Sequence, residues 1–406
     1  MKRQIPTWSE LKPLIGFAAP RLSSASRVAA APAIEDLRAL ARRRAPRAVF
    51  GYVDGAAGYE ESLNRSRAAY RTVEFHPRVL TDVSYVDTST SVLGEELAMP
   101  IVCAPTGFTR MMHTDGEIAV ASAASRFGIP YTLSTMGTTS PEDLAREVPG
   151  GSRWFQVYLW RDRDATSQLI GRARESGYRV LMLTVDTPVA GERLRDVRNG
   201  LTVPPKLTVP TLVDMAKHPR WWFDVLTTEP LEFASLTGFD GTVAEMVDEM
   251  FFPGADLDTL EWVKARWDGP VVVKGIQTVD DAQRIAGTGV DGIVVSNHGG
   301  RQLDNAPTPL EVLPAVVDAV GSDTAVFIDG GVMNGADVAA AVALGAQAVL
   351  VGRAYLYGLM AGGAVGAERS LEILRSQLMR TMQLVGATDV ASLAGRARLR
   401  SDGSLR

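Results

Sequence analysis

The sequence predicts an α/β fold: a parallel (β/α)8 barrel of the TIM type, with a helical extension before it and a long insertion after its fourth strand. Three observations predict this fold. Short apolar runs recur eight times, helical patterns lie between most of them, and one interval is far longer than the others. The runs are Pro100–Ala104, Pro130–Leu133, Trp154–Tyr158, Val180–Val185, Val271–Val273, Gly292–Val295, Ala325–Ile328 and Ala348–Val351.

The N-terminal part, residues 1–95, is expected to be an arm followed by helices. Residues 1 to about 30 carry prolines, serines and scattered basic residues, which favour a loosely ordered arm. Ala33–Arg44 has a helical pattern, and a second helix is expected near Pro46–Val53.

The apolar runs are expected to be parallel strands, because strands covered on both faces are continuously apolar rather than alternating. The helical patterns between them predict the βα rhythm of a barrel over residues 96–390. These patterns cover Gly116–Phe127, Pro141–Val148, Ala165–Ser176, Val279–Ala286 and Ala336–Leu344. A doubly wound open sheet built from the same elements is the structural alternative.

The predicted insertion covers residues 187–258, since more than eighty residues separate Val185 from Val271. Prolines interrupt it, and it contains the aromatic cluster Trp221–Phe223. An insertion after a barrel strand lies at the carboxyl face, where active sites are built. We therefore expect a lid packed on the barrel; docking of the aromatic cluster to a membrane surface is the alternative.

Composition bounds the class of protein. The 406 residues are expected to form a single domain, and a hydrophobic content of 46% excludes disorder for most of them. Acidic residues outnumber basic ones by 47 to 42, which argues against a nucleic-acid partner. The single cysteine, Cys103, excludes an internal disulfide and a cysteine-based zinc site, and no metal is expected. Without an apolar stretch typical of a signal peptide, the expected location is cytoplasmic.

Polar residues follow or end all eight apolar runs. Barrel enzymes carry their catalytic groups at the carboxyl ends of the strands, so these residues are expected to surround one mouth. They are Pro105–Gly107, Ser134, Gln156, Tyr158, Thr184, Asp186, Lys274, Ser296–His298, Asp329–Gly331 and Gly352–Arg353.

The densest polar stretch is Ser296–Asp304. A histidine such as His298 suits proton abstraction, because its pKa lies near neutrality. Arg301 can hold a carboxylate with its two-pronged guanidinium. The pair predicts an acid substrate that loses a proton close to its carboxylate. A capping histidine beside a surface arginine is the structural alternative.

Ser296–Asp304 resembles the signature of the FMN-dependent 2-hydroxy acid oxidases and dehydrogenases. The resemblance extends over roughly residues 33–390 and rests on several further motifs in the same order. They are Pro105-Thr106-Gly107, Gln156-Val157-Tyr158, Thr184–Pro188, Val273-Lys274-Gly275, Asp329-Gly330-Gly331 and Gly352-Arg353. Thr106–Arg110 and His218–Phe223 resemble, more narrowly, actinobacterial respiratory L-lactate dehydrogenases.

The resemblance implies catalytic roles for three residues. His298 would be the active-site base, and Asp186 would hydrogen-bond its imidazole and stabilise the imidazolium. Tyr158 would hydrogen-bond the reacting hydroxyl. The other interpretation of Asp186 is a helix N-cap before Thr187-Pro188.

The resemblance also implies a site for the substrate carboxylate. Arg301 and Tyr52 would bind this group, and Arg193 would lie near the mouth of the site. Tyr52 could instead be an ordinary helix aromatic, and Arg193 an exposed arginine in a salt bridge.

The implied cofactor is FMN. Lys274 would stabilise negative charge on the reduced flavin, and glycines after strands seven and eight would hold the phosphate with Arg353. The full set of implied cofactor-binding residues is Pro105, Thr106, Gly107, Ser134, Gln156, Thr184, Lys274, Ser296, Asp329, Gly330, Gly331, Gly352 and Arg353.

Three positions depart from common family patterns. Met333 stands where many relatives have arginine, so one cation that contacts the phosphate is missing. Gly107 stands where oxidases often have alanine, which favours an electron acceptor other than oxygen. Met136 stands where some members have tryptophan, and a flexible methionine leaves the pocket for the substrate side chain adaptable.

The expected function is therefore oxidation of an (S)-2-hydroxy acid, with L-lactate the first candidate and a quinone or cytochrome as electron acceptor. Removal of a proton from C2 and hydride transfer are both open as routes. The alternatives are an oxygen-using oxidase or monooxygenase, a mandelate-type dehydrogenase, and a barrel that binds a phosphorylated ligand without redox chemistry. The family further implies a homo-oligomer, a tetramer or octamer. The aromatic cluster Trp221–Phe223, where it docks to a membrane, would place the protein peripherally at the inner face of the cell membrane.

Overall fold

The computed structural model describes residues 6–12, 23–200, 209–229, 231 and 251–400. Its strands are β1 Val73–Phe75, β2 Thr90–Val92, β3 Glu95–Leu97, β4 Ile101–Cys103, β5 Tyr131–Ser134, β6 Arg153–Val157, β7 Val180–Thr184, β8 Val271–Ile276, β9 Gly292–Val295, β10 Ala325–Ile328, β11 Ala348–Val351 and β12 Ala397–Leu399. Strands β4 to β11 pair in chain order, and β11 pairs with β4, so the parallel sheet closes. The predicted (β/α)8 barrel is confirmed, and the open sheet is excluded.

The barrel strands are apolar because both of their faces are covered. Every residue of β7 is buried, and the same holds for β5, β9, β10 and β11. Inside the barrel, the rings of Trp154 and Phe327 meet edge to face with centroids 5.8 Å apart. The hairpin β2–β3 packs Val92 and Leu97 into the same cluster, and Glu95 accepts a hydrogen bond from the Trp154 indole at 3.3 Å. The hairpin therefore covers the amino end of the barrel, where β6 begins, and the carboxyl end is left for a site.

The helices include all five predicted between the strands, each with ends within two residues of the prediction. The helices are α1 Trp8–Leu11, α2 Ser24–Ala29, α3 Ile34–Arg44, α4 Arg47–Asp54, α5 Glu61–Ala69, α6 Thr109–Met112, α7 Gly116–Arg126, α8 Pro141–Glu147, α9 Arg163–Glu175, α10 Leu194–Arg198, α11 Val209–Ala216, α12 Pro219–Leu226, α13 Leu257–Lys264, α14 Val279–Ala286, α15 Pro309–Val320, α16 Gly335–Ala343 and α17 Arg353–Val385. Caps fix several of the starts; Ser140, for example, accepts the Asp143 N–H at 3.0 Å.

The N-terminal extension is docked on the barrel by the last long helix. Helices α2 and α3 pack against α17, and the Arg369 guanidinium donates to the Ala31 carbonyl at 2.8 and 3.0 Å. Strand β1 pairs with β12 in antiparallel register, with Val73 opposite Leu399. Val28 of α2 is completely buried, so the arm expected up to about residue 30 is wrong for this helix; residues 1–5 and 13–22 lie outside the described part.

The insertion between β7 and β8 lies on the carboxyl face, as predicted for an element that follows a strand. Trp221 of α12 is buried, and its indole donates to the Met111 carbonyl of α6 at 3.0 Å. Asp224 pairs with Arg44 of α3 at 2.5 Å, whereas Phe223 is exposed. Trp221 is therefore packed against α6, and Asp224 ties α12 to the N-terminal extension; a lid over the cavity stays a prediction. Residues 201–208, 230 and 232–250 of this segment lie outside the described part.

None of the helices in the described ranges combines the length and apolar character needed to cross a membrane.

Candidate active site

A cavity opens at the carboxyl end of the barrel, and most of the predicted site residues line it. They are Tyr52, Pro105, Thr106, Gly107, Ser134, Tyr158, Thr184, Arg193, Lys274, His298, Arg301, Asp329, Gly330, Gly331, Gly352 and Arg353. The register of the barrel sets neighbours side by side: Ser134 pairs with Gln156, and Thr184 pairs with Lys274. Three predicted residues lie behind the cavity wall, namely Asp186, Gln156 and Ser296. Asp186 and Ser296 contact cavity residues, with Asp186 bonded to His298 and Ser296 to Lys274, whereas Gln156 has a side-chain amide nitrogen without a partner in the described part of the chain.

The His298 ring is held by Asp186. The imidazole Nδ1 lies 2.9 Å from Asp186 Oδ1, and the carboxylate is almost completely buried. No helix begins at Thr187, since the next one along the chain is α10, so the N-cap interpretation of Asp186 is wrong. With Nδ1 engaged by the carboxylate, Nε2 is the nitrogen left to take a proton.

The loop after β9 places His298 in a strained conformation. Its backbone φ is 56°, in the left-handed region that residues other than glycine rarely adopt. The turn is fixed from both sides: Ser296 Oγ accepts the His298 N–H at 3.0 Å, and Asn297 Oδ1 accepts the Gly300 N–H at 3.1 Å. Such strain is commonly kept where a side chain must be aimed, here towards the cavity.

Burial favours the neutral form of His298. Burial lowers the pKa of His298 and outweighs the attraction of Asp186, which raises it. Burial would raise the pKa of Asp186, but His298 and then Lys274 hold it below its usual value. An ionised aspartate beside a neutral imidazole is the arrangement in which the imidazole can act as a base.

Two arginines face the histidine side of the cavity together with Tyr52. Arg301 Nη1 donates to the carbonyls of Tyr52 at 2.6 Å and Gly55 at 3.2 Å, and its guanidinium lies 4.8 Å from the Tyr52 ring centre. Arg193 lies 6.0 Å from the same ring, and its Nε has no hydrogen-bond partner. Burial, followed by Arg193, lowers the pKa of Arg301 to about 9. Two guanidiniums that line the same cavity suit an anionic substrate group, although the carboxylate of Asp196 also attracts both of them.

Tyr158 supplies a hydroxyl near this group. Burial, and then the charge of Asp186, raises the pKa of Tyr158 well above its usual value. The phenol therefore stays protonated and can donate a hydrogen bond to a substrate oxygen.

Lys274 and Asp329 form a buried ion pair at the ends of the two strands that flank β9, the strand that leads to His298. Lys274 Nζ lies 3.0 Å from Asp329 Oδ2 and donates to Ser296 Oγ at 3.0 Å. The ammonium is only 4% exposed, yet its pKa is raised, because Asp329 and Asp186 outweigh the effect of burial. A permanent positive charge is thus fixed at the end of β8, within reach of a ligand in the cavity.

Buried polar groups next to the cavity lack partners. Gln156 Oε1 accepts hydrogen bonds from Ser134 Oγ at 2.9 Å and the Thr135 N–H at 3.3 Å, but its Nε2 has none. Thr184 Oγ1 is equally without a partner. Buried donors are rarely left unsatisfied, so both indicate a polar ligand edge against β6 and β7.

Glycines form the far end of the cavity. Gly330 and Gly331 have φ values of 91° and 85°, and a Cβ on Gly331 would clash with the Ser66 carbonyl oxygen. Only glycine allows the chain to pass here, and such turns expose backbone N–H groups to an anion. Arg353 donates to the Val53 carbonyl at 2.8 Å beside this end.

One residue of this end was not predicted. Arg67 of α5 lines the cavity beside Met333 and Arg353. It follows no barrel strand, so the strand-end rule could not find it.

The space beside Gly107 is already occupied by Met136. A Cβ built on Gly107 would lie 2.8 Å from Met136 Cβ and 3.2 Å from the Met136 carbonyl oxygen. Met136 already fills the room into which a methyl group at position 107 would project. A larger residue there would have to displace the methionine, so the two positions are coupled.

A family model described as FMN-dependent dehydrogenase matches residues 41–400. The chain belongs to this family. The predicted family membership is confirmed, and the match takes in the strands of the barrel, helices α4 and α5, and the whole cavity.

Several relatives of this FMN-dependent dehydrogenase share nearly its full length. A protein of Mycobacterium tuberculosis named "Putative L-lactate dehydrogenase" is 52% identical over 98% of this chain and 96% of its own. An L-lactate dehydrogenase of Chromohalobacter salexigens is 38% identical over 88% of this chain and 93% of its own. The crystal structure of a monotopic membrane protein, (S)-mandelate dehydrogenase, superposes with a TM-score of 0.88 at 35% identity, covering 91% of this chain and 100% of that one.

The residues of this dehydrogenase fit FMN, the cofactor that its family implies. Gln156 Nε2 and Thr184 Oγ1 are free to bond the polar edge of an isoalloxazine ring, and Lys274 can face its N1 side. Gly330 and Gly331 line the other end of the cavity, where their backbone N–H groups would contact a phosphate. When bound, FMN supplies the site's capacity to accept two electrons from a substrate.

Proposed function

We propose that this FMN-dependent dehydrogenase oxidises an (S)-2-hydroxy acid, L-lactate, to the 2-oxo acid, pyruvate. The observation that carries the proposal is His298, held by Asp186 at 2.9 Å, in one cavity with Arg301 and Arg193. A base beside a carboxylate site is what removal of a proton next to a carboxylate needs. The names of the relatives from Mycobacterium tuberculosis and Chromohalobacter salexigens support L-lactate over mandelate.

The side chains divide the work among them. Arg301, with Arg193 and Tyr52, binds the carboxylate and so fixes which face of C2 is presented. Tyr158 donates a hydrogen bond to the substrate hydroxyl oxygen. His298 Nε2 takes the proton that leaves the substrate, from C2 or from the hydroxyl group according to the route. The buried charge of Asp186 stabilises the imidazolium that results.

The substrate and the acceptor are tested in one anaerobic experiment. The full-length holoenzyme is mixed with L-lactate, D-lactate or (S)-mandelate, and loss of flavin absorbance is followed. We expect L-lactate to reduce the flavin fastest and D-lactate not at all. Faster reduction by (S)-mandelate would show that the substrate proposal is wrong.

The acceptor that we propose is a quinone or a cytochrome rather than oxygen. The support is the glycine at position 107, where oxidases of the family often have alanine; Met136 fills the space into which a methyl group at this position would project. The reduced enzyme is divided and mixed with dissolved oxygen or a soluble quinone. We expect faster reoxidation by the quinone; equal rates would exclude the proposed preference.

Replacing Arg301 by lysine should weaken substrate binding and slow turnover, although the positive charge is kept. Arg301 uses Nη1 for the Tyr52 and Gly55 carbonyls and needs its other nitrogens for the carboxylate, a geometry that an ammonium cannot copy. We expect kcat/KM for L-lactate to fall by about tenfold to a hundredfold in Arg301→Lys. Arg174→Lys, at an exposed pair with Asp268, is the matched control. An unchanged KM and kcat would place the carboxylate site elsewhere.

We further propose that the protein works as one domain, with residues 187–258 as its lid, in the cytoplasm at the inner face of the membrane. Helices α11 and α12 expose Val209, Val213, Phe223 and Leu226, a surface suited to peripheral contact with lipid. Sedimentation with lipid vesicles measures this contact.

We also propose that the protein forms a homo-oligomer, a tetramer or octamer. The exposed apolar side chains of Val79, Leu80 and Tyr85 support this proposal, and light scattering measures the mass of the assembly.

A further inference from the structure

The phosphate end of the cavity receives a second guanidinium from outside the barrel. Arg67 lies on α5 and lines the cavity together with Gly330, Gly331 and Arg353. At position 333, where the family pattern leads one to expect a cation, the buried thioether of Met333 is present instead. Arg67 reaches this thioether, with Nη2 3.6 Å from Met333 Sδ.

The contacts of Arg67 leave its charge unmatched. Besides Met333, its Nη2 contacts only the Tyr357 hydroxyl, at 3.5 Å, and within the described ranges it forms no ion pair. The Tyr357 hydroxyl donates its own proton to Asp54 at 2.7 Å. Asp54 in turn is neutralised by Arg38 and Arg195, at 2.6 and 2.8 Å. No negative charge of this network is therefore left for Arg67.

Arg67 and Arg353 converge on the same space. The charge of Arg67 acts against that of Arg353, whose pKa is lowered, chiefly by burial. The carboxylate on the barrel side, Asp329, is already held by Lys274 at 3.0 Å. Two guanidiniums that face glycine backbone, with no anion between them, form a site for an oxyanion with several charges.

We propose that Arg67 binds the 5′-phosphate of FMN together with Arg353 and the backbone of Gly330, Gly331 and Gly352. It takes the place of the cation that is missing at position 333, and the Met333 thioether holds its guanidinium in the bound direction. The proposal rests on FMN as the cofactor. It makes α5, a helix of the N-terminal extension, part of the cofactor site.

The test compares two flavins that differ only in the phosphate. Flavin-free, full-length protein is titrated with FMN and with riboflavin, and quenching of flavin fluorescence gives each Kd. For Arg67→Gln we expect the Kd for FMN to rise by about tenfold to a hundredfold, as for the loss of one charged hydrogen bond. The Kd for riboflavin should stay at the wild-type value. Arg65→Gln, on the exposed side of the same helix, should change neither.

A merely structural role for Arg67 gives a different result. If Arg67→Gln raises the Kd for FMN and the Kd for riboflavin by the same factor, Arg67 only tethers α5. If the Kd for FMN is unchanged, Arg67 does not contact the phosphate. Either result overturns the proposal. If Arg67→Gln does not fold, Arg67→Lys is measured in its place, and a loss of FMN affinity without loss of riboflavin affinity is again required.

The cofactor assignment is tested separately by the wild-type protein. If the wild type binds riboflavin as tightly as FMN, phosphate recognition fails as a whole. If the wild type prefers FMN and the Arg67 variants keep that preference, only the role of Arg67 fails. Neither readout depends on turnover of a hydroxy acid.

Discussion

Reduction of the flavin by L-lactate should fall by about 10²- to 10⁴-fold or more when His298 is replaced by glutamine, as is typical when a general base is removed. Glutamine preserves side-chain bulk and polarity but cannot accept the substrate proton and carry a positive charge. The substitution leaves Gln156 and Thr184, the side chains expected to bond the flavin ring, in place, so FMN should remain bound. Anaerobic stopped-flow absorbance measures the rate, and the flavin content of the purified protein measures binding.

The pH profile gives a second signature of the same base. Because the pKa of His298 is lowered, the neutral, active form persists below pH 6.5, and kcat/KM should fall only at more acidic pH. This acidic limb should disappear from the residual activity of His298→Gln. His113→Gln is the matched control, because His113 also lies near a carboxylate, Asp115, at 3.4 Å, but outside the cavity. A His298 variant that reduces within a few-fold of wild type would contradict the assignment.

Replacing Lys274 by methionine should lower the free energy of unfolding of the flavin-free protein by about 3–5 kcal/mol. The substitution leaves the Asp329 carboxylate, only 10% exposed, without its cation, and Asp329 Oδ1 already lacks a partner. A buried charge that loses its counter-charge is far more costly than the pair itself is stabilising. Urea unfolding followed by circular dichroism measures the change.

A double variant separates the ion pair from packing. In Lys274→Met/Asp329→Asn the remaining side chain is neutral, so part of the lost stability should return. Lys264→Met, which removes a more exposed pair with Glu261 at 3.0 Å, should cost about 0–1 kcal/mol. The buried pair does not have the role described if Lys274→Met lowers the free energy of unfolding no more than Lys264→Met does. The same conclusion follows if the double variant loses more stability than the sum of the losses in Lys274→Met and Asp329→Asn.

The barrel could be predicted because each of its strands contains a short apolar run, a pattern that can be recognised within a single segment of the sequence. A strand such as β7, covered by helices outside and side chains inside, has no room for a polar residue until it ends, so both its position and its polar end are visible in the sequence. The ribbons β1–β12 and β2–β3 could not be found in this way. Their strands have three residues each and include charged ones such as Glu74 and Glu96, and their pairing depends on segments far apart or on a tight turn.

Some residues of the site could likewise be predicted from the sequence, and others could not. Residues that end barrel strands, such as Thr184 and Lys274, could be expected at one mouth because parallel strands all end on the same side. Arg67 could not, since nothing in the sequence of α5 distinguishes it from its neighbour Arg65. The two differ only after folding, when Arg67 lines the cavity and Arg65 lies at the surface, 4.0 Å from Glu311.

The pairing of β1 with β12, and of α2 and α3 with α17, also has a consequence for biosynthesis. The segment containing Tyr52 and Arg67 leaves the ribosome well before its packing partners, residues 353–399, are made. Until they appear, the buried faces of α2 and α3 have nothing to cover them, and the carbonyls of Val53 and Ala31 lack the arginines that bond them. Contacts so distant along the chain form slowly. Closure of the cavity therefore has to wait until residues 353–399 have been made, and we expect a nascent chain to hold no flavin before that point.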